Sequence, residues 1–290
     1  MQTAEVAAPI GGDSLYQQRA RAALPILVRQ AEAEAPIFYS DLAPELEMSN
    51  PRNLNFVLGS IGKTIERLRE AWSDPTIPPI QCLVINKNTG LPGEGIAWFL
   101  DKSDPSQLSH FKNLSRRQKR HLVEAELQRI FAYPKWRDVL QYLSLRPTVP
   151  AYGDLVSNAA KFCGGGESEQ HRSLKEYVSR NPGVVDLPLG TPAGVIEHGL
   201  PSGDALDVSF EGQRTWIGVE VKSALSETAD IVRGLFQCVK YRAVMEAVQV
   251  AQGKTRDARA ILVLEGSLPA RLVALKNMLG IEVIEEVRPR

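Results

Sequence analysis

Ala205-Leu206-Asp207-Val208-Ser209-Phe210-Glu211-Gly212-Gln213-Arg214-Thr215-Trp216-Ile217-Gly218-Val219-Glu220-Val221-Lys222 is the stretch that decides how this chain is read. Two runs, Ala205–Glu211 and Thr215–Val221, flank Gly212-Gln213 and predict two strands joined by a tight hairpin. Alternate residues of a half-buried strand share a face. Glu220 and Lys222 therefore project to one side, and Val219 and Val221 to the other. Antiparallel pairing about Gly212-Gln213 sets the start of the first strand beside the end of the second. That places Asp207 near Glu220 and Lys222. Asp204 rivals Asp207 for this position, although Gly203 before it suits a turn.

Two carboxylates and an ammonium on one sheet face need a reason. Close carboxylates repel and raise each other's pKa unless a cation lies between them. A hard divalent ion such as Mg2+ takes oxygen ligands and keeps several waters. Between Asp207 and Glu220 it would neutralise the pair and activate a water for attack on phosphorus. Lys222 would stabilise charge on the hydroxide or the phosphate. The plainer alternative for Glu220 and Lys222 taken alone is a cross-strand ion pair on a solvated face.

Around this hairpin the C-terminal half predicts a helix over 168–180, stopped by Asn181-Pro182-Gly183, and a weak strand near 193–198. Ser226 caps a long helix over 227–251, ended by Gly253. Ala258–Leu264 reads as a strand, Pro269–Leu279 as a helix stopped by Gly280, and Ile281–Val287 as a last strand. The expected fold class is α/β, a mixed sheet flanked by helices.

The N-terminal half reads as mainly α. Helices are expected over 15–34, 41–47 (capped by Ser40) and 52–72, the last carrying Leu54, Val57, Leu58, Ile61, Ile65 and Leu68 at helical spacing. A β-rich run from Pro78 to Asn86, a flexible loop over 88–93 and Glu94-Gly95-Ile96 follow, which is the layout of a winged helix-turn-helix. Arg52, Asn53, Asn55, Lys63, Arg67 and Arg69 on the third helix, with Lys87 in the wing, are the candidate contacts to duplex DNA. Docking of a protein partner is the alternative. The expected domains are 1–105 (DNA-binding), 106–160 (a helical basic connector) and 161–290, with a linker within 147–166 that includes Gly164-Gly165-Gly166.

The 290 residues are 43% apolar and 23% charged, with zero net charge, as in ordinary globular proteins. Charge is uneven. Residues 110–146 hold nine Lys/Arg against three acids, an excess that suits a polyanion as well as a solvated helix face. Cys82, Cys163 and Cys238 form no CxxC pair, which argues against a zinc ribbon or a disulfide framework. Met1–Gly12 lacks the pattern of a signal peptide, and no apolar run approaches the roughly 18 residues of a membrane span. A cytoplasmic protein without a membrane partner is expected.

The hairpin and its surroundings resemble the PD-(D/E)XK nuclease superfamily over about 167–265. Asp207, twelve residues, then Glu220-Val221-Lys222 is similar to its central pattern, with Leu206 standing where Pro is usual. Glu169 opens the preceding helix, where family members often place a further metal-facing acid. Glu167 and Glu176 are its substitutes, and a simple charge at a helix N-terminus is the alternative. Gln237-Cys238-Val239-Lys240-Tyr241 is similar to the Gln-xxx-Tyr pattern of a large nuclease branch, and its ends share one helical face. The resemblance implies an αβββαβ restriction-endonuclease-like core and a Mg2+- or Mn2+-dependent endonuclease acting on DNA. It implies Asp207, Glu220 and Glu169 as metal ligands, with Lys222, Gln237 and Tyr241 completing the catalytic set. A bacterial restriction or phage-defence enzyme is the expectation. A repair nuclease, or a non-catalytic DNA-binding regulator on the same scaffold, is the alternative. Double-strand cleavage needs two active sites, so a homodimer is expected. Structural roles are expected for His171 and His198, and packing for Cys238.

Overall fold

The computed structural model describes residues 6–100, 111, 113–148, 152–161 and 168–289. The chain divides into two compact units, Met1–Val149 and Pro150–Arg290. The stretch 106–160 is shared between them: helices within 116–142 supply core residues of the first unit, and a helix at 153–161 packs in the second. The triple glycine 164–166 and Cys163 lie outside the described residues.

In the first unit, apolar residues at helical spacing form α1 (Leu15–Glu32), α2 (Tyr39–Glu45), α3 (Leu54–Ala71), α4 (Arg116–Ala132) and α5 (Trp136–Tyr142). Their buried faces meet in one core that includes Leu24, Leu27, Ile61, Ile65, Leu83, Ile130 and Leu140. The winged layout is not what these residues build. Pro78 and Pro79 lack the N–H a ladder needs, and Ile80–Leu83 winds into a 3-10 turn, leaving a strand of only two residues. That strand, β2 (Val84–Ile85), pairs in parallel with β1 (Ile37–Phe38), which lies before α2. Glu94–Ile96, expected as the returning strand, is a 3-10 turn closed by the Ile96 amide on the Gly93 carbonyl.

The second unit holds a five-stranded mixed sheet in the order β3-β4-β5-β6-β7: β3 (Val195–Gly199), β4 (Ala205–Glu211), β5 (Thr215–Lys222), β6 (Asp257–Leu264) and β7 (Glu282–Ile284). β3, β4 and β5 are antiparallel neighbours, and β5, β6 and β7 are parallel. The helices are α6 (Gly153–Lys161), α7 (Glu169–Arg180), α8 (Thr228–Ala251) and α9 (Val273–Leu279). Leu174 and Val178 of α7 cover one sheet face with Val219, Val221, Ile261 and Val263. Leu235, Cys238 and Met245 of α8 cover the other with Leu206, Trp216 and Leu262. Helices on both faces explain why β5 and β6 read as near-continuous apolar runs. Gly253 and Gly280 follow α8 and α9 in left-handed conformations (φ 65° and 60°), which strain a residue that carries a side chain. Glu227, not Ser226, is the residue that precedes α8. Among the described residues no helix is long and apolar enough to cross a membrane.

Candidate active site

β4 and β5 pair from Val208↔Val219 to Glu211↔Trp216. Beyond Val208 the strand changes hand. Leu206 packs on the α8 side of the sheet and Val208 on the α7 side, although residues two apart in a regular strand share a face. Asp207 sits at this kink, and its Oδ2 accepts the Val221 N–H at 2.8 Å. A side-chain carboxylate thus takes a backbone donor at the end of the ladder. Across the other edge of β4, Glu197 stands between the register pairs Ile196↔Val208 and His198↔Leu206, in a left-handed conformation with φ 55°. Strict alternation along β4 could not reveal this kink.

The expected proximity of Asp207 to Glu220 is reached, but each carboxylate turns to a different helix. Asp207 Oδ1 lies 3.4 Å from His171 Nε2 and 3.6 Å from Lys175 Nζ, both on α7. Lys175, almost wholly buried, also forms an ion pair with Glu197. Glu220 Oε1 lies 3.1 Å from Lys222 Nζ, and its Oε2 accepts the Tyr241 hydroxyl of α8 at 3.1 Å. Lys222 in turn reaches Asp230 Oδ1, in the first turn of α8, at 2.9 Å. Gly234 lets that helix come close: a Cβ there would lie 3.0 Å from Lys222 Cε.

Gln237 and Tyr241 stand where one shared helical face puts them. The Gln237 amide donates to the Tyr241 hydroxyl at 3.3 Å, and that hydroxyl has one proton for two acceptors, Glu220 Oε2 and the Ala205 carbonyl at 3.2 Å. Gln237 Oε1 is buried without a protein hydrogen bond, an acceptor left over beside the site. Glu169 is not brought to the carboxylates. It is exposed, at the first helical position of α7. Two residues on an α-helix differ by about 200°, so the face that carries His171 and Lys175 to Asp207 turns Glu169 away. Position 171, not 169, is the one that meets Asp207. His171 and Lys175 are spaced i, i+4 with Leu174 and Val178 alongside, and that spacing was the clue. Glu167 lies outside the described residues. Asp204 is bound by Lys240 at 2.8 Å and by Ser202, which leaves Asp207 as the carboxylate of the site.

The electrostatics follow from these partners. Burial, then the charge of Asp207, pushes the Glu220 carboxyl up to about 7, against the pull of Lys222 and Tyr241. Burial would raise Asp207 too, but the His171 hydrogen bond, the Val221 N–H and Lys175 outweigh it and hold Asp207 below the ordinary range. The hydrogen bond to Asp207 raises His171. For Lys222 burial favours the neutral amine, yet Glu220 and Asp230 together raise its pKa. Burial and Glu220 raise Tyr241. A carboxyl made reluctant to ionise by burial and by its carboxylate neighbour fits a hard divalent cation, and Asp207 and Glu220 are the residues that could hold one. Among the described residues no three His, Cys, Asp or Glu side chains are grouped to hold a metal ion as they stand.

The other sequence candidates are dispersed. α3 is buried through its middle, from Val57 to Gly62, where it packs into the core of its unit. Arg52, Asn53 and Asn55 are exposed at one end and Arg67 near the other. Lys63 pairs with Glu66 at 3.4 Å, and Arg69 Nε donates to the Ile77 carbonyl at 2.7 Å. Lys87 is exposed in the turn after β2. His198 packs edge-on to Trp216, and Cys238 is buried. Comparison of the chain with protein-family models, curated proteins and solved structures finds no match.

Proposed function

We propose that the C-terminal unit is a metal-dependent phosphodiesterase acting on DNA, with a restriction-endonuclease-like core formed by α7, β3, β4, β5, α8 and β6. One observation carries the reading: Asp207, Glu220 and Lys222 meet at the parting ends of two strands, with Tyr241 and Gln237 chained to Glu220. A Mg2+ or Mn2+ ion held by Asp207 and Glu220 would supply an activated water and a counter-charge for phosphate. Glu220 would hold such an ion as a carboxylate, its orientation fixed by the Tyr241 hydroxyl. Lys222, steadied by Asp230, presents an ammonium to the negative charge that grows on the phosphoryl oxygens. Gln237 Oε1 offers an acceptor for the attacking water or a substrate hydroxyl. His171 keeps Asp207 ionised and is a third candidate ligand.

A second reading has its own observation. Each carboxylate oxygen of Asp207 and Glu220 already has a protein partner, as in a regulator that keeps the ion pairs only for stability. Supercoiled plasmid, methylated and unmethylated, incubated with Mg2+ or Mn2+ separates the two. The nuclease reading expects nicked or linear products from the wild type, none in EDTA, and none from Glu220→Ala. Plasmid left intact by the wild type with either metal would favour the regulator. Gln237→Ala is expected to slow cleavage by roughly 10- to 1,000-fold, the range for a lost positioning contact. An unchanged rate would remove Gln237 from the site.

A further inference from the structure

We propose that the first unit meets the phosphate backbone of duplex DNA with the turn at 86–91 and the start of α4, and not with α3. This rests on the reading of DNA as the substrate. Lys87 lies in the turn and Arg116, Arg117, Lys119 and Arg120 lie at the start of α4, with no Asp or Glu within 86–91 or 115–121. The turn is rigid: Asn86 Oδ1 accepts the Asn88 N–H at 2.9 Å, its carbonyl accepts the Gly90 N–H at 2.8 Å, and its own N–H reaches the Leu91 carbonyl at 2.9 Å. Arg116 Nη2 donates to the Asn88 carbonyl at 2.8 Å and Arg120 Nη2 to the Thr89 carbonyl at 3.4 Å. Those bonds bring the two basic segments together, and a guanidinium has five N–H donors. Arg117 takes no part in them and is exposed.

The helix itself gains nothing from this arrangement. Positive charge at its N-terminal end opposes the macrodipole, and Arg116 and Arg120 repel at i, i+4. Its capping box pairs Ser115 with neutral Gln118, where Glu would offset the charge. Self-repelling cations on a fixed turn suit a polyanion that carries a charge about every 1.7 Å. The exposed face of α3, in contrast, mixes Lys63 and Arg67 with Glu66 and Glu70.

The test is fluorescence anisotropy of the full-length chain on a labelled DNA duplex, in EDTA, across a salt series. Arg117→Ala should lower the salt slope by about 0.9, and Arg116→Ala/Arg117→Ala/Arg120→Ala by about 2.7, one step per lost phosphate contact. The triple variant should bind roughly 10-fold or more weakly at 0.1 M salt, while Arg52→Ala/Arg67→Ala keeps the wild-type slope. Unchanged slopes in both Arg117→Ala and the triple variant would remove this face, as would a loss confined to Arg52→Ala/Arg67→Ala. Neither result touches the cleavage reading, which the plasmid digest judges separately. A wild type that binds no duplex overturns the proposal. So does a triple variant that loses only anionic phosphatidylserine vesicles, which would assign the face to membranes. Arg117→Ala keeps the test valid if the triple variant fails to fold, since Arg117 does not brace the turn.

Discussion

Each unit buries an ion pair, and the two pairs are built for different ends. In the first unit Arg29 of α1 meets Glu45 through two bonds of 2.8 Å, one to each carboxylate oxygen. Burial there is offset by matched charge and bidentate geometry. In the second unit Asp207, Glu220, Asp230 and Glu197 share Lys175 and Lys222, with His171 at the margin. Carboxylates outnumber lysines, and burial, together with the charge of Asp207, pushes the Glu220 carboxyl up to about 7. A matched pair fixes a helix junction. A mismatched cluster suits the divalent cation of the proposed function.

The largest expected effect tests that distinction at the cluster. Asp207→Asn and Glu220→Gln keep size and remove charge. Each should lower metal-dependent cleavage by at least about 1,000-fold, since several kcal/mol of transition-state stabilisation leave with the ion. Rates within tenfold of the wild type would make the cluster as structural as Arg29–Glu45. The converse change comes next in size. Arg29→Met leaves Glu45 buried without its charge, and breaking a buried pair from one side costs about 3–5 kcal/mol. Urea unfolding should report that loss, with cleavage per folded molecule unchanged. A loss below about 1 kcal/mol, the worth of a surface pair, would mean that Arg29–Glu45 is no keystone.

Much of the second unit was legible because its residues obey one period at a time. The β4–β5 hairpin, the glycines after α8 and α9, and the shared face of Gln237 and Tyr241 follow from spacing and from φ alone. The misses have a common cause. Asp230 reaches the site from α8 by tertiary packing that no local pattern announces, and the i, i+4 spacing of His171 and Lys175 marks a shared face of α7 but not what that face meets. Glu169 failed because the rotation of α7 is set by Leu174 and Val178 in the core, not by its acids. The kink at Asp207 breaks the alternation on which the strand reading depends. In the first unit, hydrophobic period revealed the helices but not how deeply each is buried. α3 carried basic residues and looked like a surface reader, yet its middle turns are core. The missing wing traces to Pro78 and Pro79, whose effect on the ladder was present in the sequence.

A smaller effect separates the pairs by pH. A carboxyl whose folded pKa lies above its unfolded value holds its proton more tightly when folded. For Glu220 that stabilising contribution is complete below its ordinary value of 4.5 and is lost as pH rises through about 7. Glu220→Gln never ionises. In EDTA it should therefore be more stable than the wild type at pH 8, by roughly 1–3 kcal/mol at about 1.4 kcal/mol per pKa unit, and nearly equal to it at pH 4–5. Thermal melts at both pH values check this. Equal melting temperatures at pH 8 would mean that Lys222 neutralises Glu220 fully, as Arg29 does Glu45.

The smallest effect isolates the backbone beside the cluster. Glu197 is held at φ 55° opposite the kink in β4, a region that costs a non-glycine residue about 1 kcal/mol or more. Its side chain also pairs with buried Lys175, so a single substitution would confound the two. Glu197→Ala removes the ion pair and keeps the strained conformation; Glu197→Gly removes the pair and relieves the strain. The glycine variant should be more stable than the alanine variant by about 1 kcal/mol, less the few tenths by which glycine loosens the unfolded chain. The alanine variant should lie below the wild type by the worth of the Lys175–Glu197 pair. If glycine were no better than alanine, the left-handed geometry would carry no strain, and the kink at Asp207 would owe nothing to β3. If alanine matched the wild type, the Lys175–Glu197 pair would be worth nothing, like most pairs with one exposed partner. The cluster would then reduce to Asp207, Glu220, Asp230 and their two lysines.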